Sequence, residues 1–196
     1  MTLLDHSTTY LRIEKRVQQI GFMPGRSTLE QILTMRQLIE KTPEFQQKAY
    51  VTLVDFKPAF DSVDLQSLWL ILKTTGLPVK LCNLFQRLHE GTDSCVEVNE
   101  RHCPSFEINT GVCQGCAAVP DLFDCVIDYI MTRTINRLQF GLHYGNRVLS
   151  DADYANDLGF VSDSPSKVTE ALQIYAHETL RIGLLIYWQK RKVIFA

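Results

Sequence analysis

The chain reads as an α+β fold, an antiparallel sheet with helices packed on one face. Three observations predict it. Short, apolar, β-branched runs bounded by breakers occur at 49–54 and 158–162. Apolar residues recur at helical spacing in the longer segments around them. Hairpin signals near 99–100, 145–146 and 156–157 replace the strict β-α alternation of a parallel sheet.

In chain order, Ser27 with Glu30 has the spacing of a capping box, and Leu29, Ile32, Leu33, Leu38 and Ile39 then recur at helical spacing. Thr42-Pro43 is expected to stop that helix. AYVTLV (49–54) reads as a buried strand. Asp64 caps a helix through Leu65, Leu68, Trp69 and Leu72 to Gly76, and Pro78 opens another that runs to Gly91. Segments 94–98 and 104–108 form a hairpin around Asn99-Glu100. A long helix over 120–138 buries Leu122, Phe123, Val126, Ile127, Ile130 and Met131. After the Gly145-Asn146 turn, RVLSDADYA is one strand and LGFVS (158–162) the next, with Asn156-Asp157 at the tip between them. Pro165 starts a further helix, and LLIYW (184–188) is the final strand.

The 196 residues carry 20 basic and 22 acidic groups, a formal charge of −2, with 45% apolar and 21% charged residues. A chain of this size buries roughly 70% of its unfolded surface and needs no staple. No run approaches the ~18 apolar residues of a membrane span. The first residues, MTLLDHSTTY, lack the basic and apolar stretches of a signal peptide, so an intracellular setting, nucleus or cytoplasm, is expected. The near-neutral balance argues against a protein held to nucleic acid by bulk charge alone. Cysteines at 82, 95, 103, 113, 116 and 125 read as free thiols packed as small apolar side chains. Cys113 and Cys116 have the spacing of half a zinc ribbon, but no second pair completes it, and zinc is not expected.

Two acidic sites carry the chemistry. Asp55 ends an apolar strand, where a buried sheet meets solvent. Asp151, Asp153, Asn156 and Asp157 crowd a hairpin, and their mutual repulsion calls for a compensating cation. A hard divalent ion with oxygen ligands, most simply Mg²⁺, suits them. Brought together across adjacent strands, the two sites would hold two ions that clamp the attacking and leaving oxygens of a phosphoryl transfer.

Five blocks occur in one order: GFMPGRST (21–28), VDFKPAFDSV (54–63), TGVCQGCAAVPDLF (110–123), DADYAND (151–157) and GLLIYWQK (183–190). This series resembles the palm of reverse transcriptases from non-LTR (LINE-type) retrotransposons, over nearly the whole chain. The resemblance implies a palm domain over 21–196 preceded by a remnant of the fingers (1–20), with motif A at 54–63, B at 110–123, C at 151–157 and D at 183–192. It implies fragmentary fingers and no thumb.

By the same resemblance, Asp55, Asn156 (aspartate in the family), Asp157 and Lys190 are catalytic. Asp55 and Asp157 bind Mg²⁺, with Mn²⁺ as a substitute, and Lys190 is an acid for the pyrophosphate leaving group. Phe60, Gln114, Gly115 and Tyr154 face the nucleotide. Phe60 excludes a 2′-hydroxyl, and Gly115 permits close backbone approach. Phe22 and Arg26 line the template path, where an arginine suits phosphate. The implied partners are an RNA template, a DNA primer and dNTPs.

The sequence also departs from the family pattern. Motif C reads Tyr154-Ala155-Asn156-Asp157, so three family carboxylates become two. Cys113 and Val119 replace a basic residue and a serine in motif B. Tyr187 and Arg191 replace an asparagine and a threonine in motif D. The reading is a reverse transcriptase domain, truncated and catalytically impaired, that grips its template weakly. The alternative is a non-catalytic nucleic-acid-binding or protein-interaction module reusing the palm.

Overall fold

The computed structural model describes residues 9–12, 15–99, 101–112 and 115–195. Its centre is a four-stranded antiparallel sheet in the order β10-β1-β9-β8, formed by Lys192–Phe195 (β10), Tyr50–Val54 (β1), Asp157–Ser162 (β9) and Asp151–Tyr154 (β8). Strand alternation splits the side chains between two environments. Val54, Leu158 and Phe160 point into the main core, with Leu122, Phe123 and Val126 of α4 (Val119–Arg137) and Tyr175 of α5 (Pro165–Leu180). Val51 and Val161 point the other way, into a smaller cluster with Leu38 of α1 (Thr28–Glu44). Helices α2 (Leu65–Thr74) and α3 (Val79–His89) extend the main core through Leu68, Leu72 and Phe85.

The expected α+β arrangement is therefore present, with α1 added on part of the opposite face. The reason for that addition lies in the edge of the sheet. Residues 18–20 run parallel to β8: Ile20 N–H donates to the Asp153 carbonyl (3.1 Å) and Asp153 N–H to the Gln18 carbonyl (3.3 Å). This rung covers the β8 edge and delivers the chain to the start of α1.

Several local expectations are corrected. The α1 stripe is not buried: Leu29, Ile32, Leu33 and Ile39 are exposed, and Leu38 alone of the five is in a core. The helix lies beside an open groove and meets the sheet along a narrow line. The capping box does not form either. Ser27 makes no side-chain cap, and Glu30 pairs instead with Arg26 at 2.7 Å. Pro43 sits in the last turn, and α1 ends one residue beyond it. The 94–108 hairpin forms as two short ladders: β3 (Glu97–Val98) with β4 (Arg101–His102), and β2 (Asp93–Ser94) with β5 (Phe106–Glu107).

RVLSDADYA breaks at Ser150. Its first part, β7 (Arg147–Leu149), pairs with β6 (Leu142–Tyr144), and its second part is β8. The last strand is shifted from 184–188 to 192–195. Leu184 is fully buried as a core anchor, Ile186 makes only an isolated bridge to Phe56, and a 3-10 turn at Trp188–Lys190 intervenes. Apolar β-formers there anchor a crossing loop rather than a ladder. Of the cysteines, Cys82 and Cys125 are buried as expected and Cys116 packs against the core. Cys95 and Cys103 are exposed. Cys113 lies outside the described residues.

Candidate active site

The β1–β9 register pairs Val54 with Leu158, which sets the next residue of one strand, Asp55, beside the preceding residue of the other, Asp157. The hairpin joining β8 to β9 closes with Tyr154 opposite Asp157, so its two-residue tip is Ala155-Asn156, one position earlier than the sequence suggested. Ala155 takes a positive φ of 54° while Asn156 does not. That pattern fits the primed turns whose twist matches antiparallel strands.

Four of the expected catalytic residues converge here. Asn156 Nδ2 donates to Asp55 Oδ1 at 3.4 Å, and Lys190 Nζ donates to Asp55 Oδ2 at 3.0 Å. The Phe56 N–H also donates to Asp55 Oδ1 (2.8 Å), and the Tyr187 N–H to the Asp55 carbonyl (2.8 Å). Asp157 has its pKa raised by partial burial and by the neighbouring Asp55 charge, against the pull of Lys190. Lys190 has its pKa raised by its hydrogen bond and attraction to Asp55. Among the described residues of this cluster, Lys190 is the one cation set against two carboxylates, Asp55 and Asp157.

A groove of about 720 Å³ opens from this cluster along the uncovered face of the sheet. Tyr154, Leu53 and Gly159 form its floor, with Ile32 and Ile39 of α1 on its wall. Among the described residues, the expected site residues Phe60, Gly115, Phe22 and Arg26 do not line this groove. Phe60 is half-buried with its ring 4.5 Å from that of Phe123. Gly115 has a φ of +96°, a conformation that glycine adopts without strain. Gln114 lies outside the described residues. Phe22 is exposed in the loop before α1, and Arg26 is engaged with Glu30.

The expectation that Asp151 and Asp153 share a metal with Asn156 and Asp157 is corrected. Both are fully buried on the face opposite the groove. Their cation is protein: the Arg16 guanidinium bonds both carboxylates and reaches Asp128 at 3.1 Å. Lys15 binds Asp121 (3.0 Å) and Asp124 (2.8 Å), and Arg12 adds a second contact to Asp121. Among the described residues, no three His, Cys, Asp or Glu side chains converge as a metal-ligand set.

Sequence reasoning missed this network, although it left a trace. Asp121, Asp124 and Asp128 recur at helical spacing on an otherwise apolar helix, which demands buried partners. Its five carboxylates face three cations, leaving two negative charges if all are ionised. Burial raises the pKa of Asp124 to about 7 and that of Asp153 well above the usual carboxylate range. These same two carboxylates each keep an oxygen without a partner among the described residues.

A pH dependence follows. A carboxyl whose pKa is higher folded than unfolded stabilises the fold below its unfolded value, and that contribution is lost as pH rises through the folded one. For Asp124 the window runs from 3.8 to about 7. The unfolding free energy of the parent, minus that of Asp124→Asn, is expected to fall between those limits in urea titrations. A flat difference would contradict the assignment.

Known proteins give the fold its context. Residues 8–195 match the family described as reverse transcriptase (RNA-dependent DNA polymerase). The chain is 24% identical over 163 residues to the Pol polyprotein of the type-2 retrotransposable element R2DM of Drosophila melanogaster, covering 83% of this chain and 15% of that protein. It is 24% identical over 147 residues to the R2 Pol polyprotein of Nasonia vitripennis, covering 75% of this chain and 14% of that one. A reverse transcriptase-like protein of Chlamydomonas reinhardtii is 23% identical over 190 residues, with 91% of this chain and 47% of that protein covered. The chain therefore spans less than half the length of each of these relatives.

Among solved structures, Candida tropicalis telomerase in complex with a fragment of telomeric RNA superposes with a TM-score of 0.72 at 14% identity, covering 99% of this chain and 33% of that one. Its apo form gives 0.70, with 98% and 36% covered. This likeness establishes the palm-type fold. With the family match reaching from residue 8 to residue 195 and the R2 relatives aligned over most of the sequence, the chain belongs to the reverse transcriptase family, as a domain of the non-LTR retrotransposon kind.

Proposed function

We propose that this domain is an RNA-directed DNA polymerase palm whose nucleotidyl-transfer chemistry is severely weakened by Asn156. Its ancestral substrates are an RNA template, a DNA primer and dNTPs. The observation that carries this reading is the Asn156 amide donating to Asp55. A neutral donor stands where a third carboxylate would accept a metal.

Reverse transcriptases work with divalent metal ions, and the residues present fit that requirement in reduced form. Asp55, Asp157 and the amide oxygen of Asn156 offer hard oxygen donors for one divalent ion, Mg²⁺ or Mn²⁺. Two ions would set four positive charges against two carboxylates. When bound, such an ion neutralises charge on the reacting phosphoryl group. The chain's own groups do the rest. Lys190 would give a proton to the leaving pyrophosphate once freed from Asp55, a role that its contact with that carboxylate supports. Tyr154, Phe60, Gln114 and Gly115 bound the nucleotide, and Phe22 with Arg26 guides the template.

The Lys190–Asp55 pair also favours a second reading. It gives Asp55 a protein cation in place of an ion, as a non-catalytic nucleic-acid-binding module would require. Mn²⁺ binding followed by electron paramagnetic resonance separates the two. The first reading expects one weak site per chain that disappears in Asp55→Asn. Equal binding, or none, in parent and variant supports the module.

A further inference from the structure

The segment before α1 reaches directly into the carboxylate-bearing hairpin. Gln19 is 2% exposed, and its side chain makes three hydrogen bonds within a few ångströms of the tip. Its Oε1 accepts from the Gly21 N–H (2.8 Å) and from the Ala155 N–H (3.0 Å). Its Nε2 donates to the Ala155 carbonyl (3.3 Å). One side chain thus satisfies both backbone groups of the turn residue that precedes Asn156.

That residue is also strained. Alanine at a φ of +54° lies in the left-handed region, which side chains with a Cβ avoid at a cost of order 1 kcal/mol. Such a conformation persists only when its surroundings over-determine it. The surroundings here are tight. A Cβ added at Gly21 would lie 2.3 Å from the Ala155 nitrogen, so the 19–21 backbone presses directly on the turn. Gln31 of α1 fastens the same segment from behind, its Nε2 donating to the carbonyls of Gln18 (2.9 Å) and Asp153 (3.1 Å).

We propose that Gln19 is a positioning residue for the active-site hairpin: it locks Ala155 in its left-handed conformation and so fixes the direction in which Asn156 and Asp157 face Asp55. The residue touches neither metal nor substrate and acts wholly through the turn. Without the clamp, Ala155 relaxes toward negative φ and the tip rotates, while the β8–β9 ladder behind it remains paired. This inference rests on reading the hairpin as metal-holding, yet the clamp itself has an independent readout.

The experiment uses Gln19→Met, which keeps the length and apolar bulk but loses every hydrogen bond. Backbone amide exchange is followed by NMR, and Mn²⁺ binding is measured in parallel. Exchange at Ala155 is expected to accelerate at least about tenfold, the loss of one hydrogen bond, with amides of the buried β9 strand unchanged. Mn²⁺ affinity at the site defined by Asp55→Asn is expected to fall about tenfold. A Gln19→Glu variant, which retains the acceptor to Ala155 N–H, is expected to keep that amide protected, and covers the case in which Gln19→Met fails to fold.

Unchanged Ala155 exchange in Gln19→Met, or Ala155 exposed in Gln19→Glu, overturns the clamp. Accelerated exchange with undiminished Mn²⁺ affinity overturns the positioning role. If the parent binds no Mn²⁺ at all, the metal-holding reading fails, and retained Asn156 and Asp157 chemical shifts in Gln19→Met then count against Gln19, as displaced shifts count for it.

Discussion

Asn156→Asp is expected to raise primer extension on an RNA template in Mg²⁺ by at least about 10²–10³-fold, the usual worth of one well-placed electrostatic group. That range corresponds to roughly 3–4 kcal/mol at the transition state. In the parent, the Asn156 amide spends its N–H on Asp55 and offers only a neutral oxygen to a cation. An aspartate there removes the donor and adds a charge beside Asp55 and Asp157.

Without metal that change is unfavourable. Three carboxylates would share one ammonium, Lys190, and the Asp157 pKa, already raised by burial and by Asp55, would climb further. The variant is therefore expected to be less stable than the parent in chelator and to recover stability as Mg²⁺ is added. Single-nucleotide extension, with and without Mg²⁺, reads out both halves. Equal extension by parent and variant would show that Asn156 is no impairment. Failure of both would move the limiting defect to the other departures, Cys113, Val119, Tyr187 and Arg191.

Arg16→Met carries the second large effect, a loss of about 3–5 kcal/mol in unfolding free energy, the range for breaking a buried ion pair from one side. Domains of this kind have only about 5–15 kcal/mol to lose. Arg16 is the shared partner of Asp128, Asp151 and Asp153, and the last two are fully buried. Removing the guanidinium strands them in a medium that cannot solvate charge. Adding Asp153→Asn is expected to recover part of the loss, because it removes one stranded carboxylate. Urea denaturation of the single and double variants tests this, and full additivity of the two changes would contradict the coupling.

The elements of the fold were largely legible in the sequence, because each helix carried its apolar period and its punctuation. Asp64 does accept from the Ser67 N–H as a cap, and Pro78 does precede the next helix. What misled was local propensity overruled by tertiary demand. Leu184 and Ile186 have strand chemistry but serve as anchors. Leu29 and Ile32 have the helical stripe but border a groove rather than a core.

The candidate site was legible where two short motifs had to meet. Asp55 and Asp157 are neighbours because their strands pair, and Lys190 arrives through the turn that delays β10. Strand alternation sends Asp151 and Asp153 away from the groove that Ala152 and Tyr154 line. The partner of Asp151 and Asp153 could not be read, because Arg16 lies more than a hundred positions away in an unremarkable polar stretch. Gln19 escaped for the same reason. A neutral amide announces nothing until its three bonds are seen.

The pairing of β1 with β9 has a kinetic consequence. Tyr50 meets Ser162 and Val54 meets Leu158, contacts that close loops of more than a hundred residues, whereas β8 and β9 meet through a two-residue turn. Non-local closures of this kind come late, since chain entropy is lost before contacts compensate it. The hairpin bearing Asn156 and Asp157 thus forms early, and Asp55 joins it only when the central strand docks. During refolding, the carboxylate pair is assembled in the slowest step, and until then the edge of β9 that β1 will cover stays open, where a second chain can add itself first.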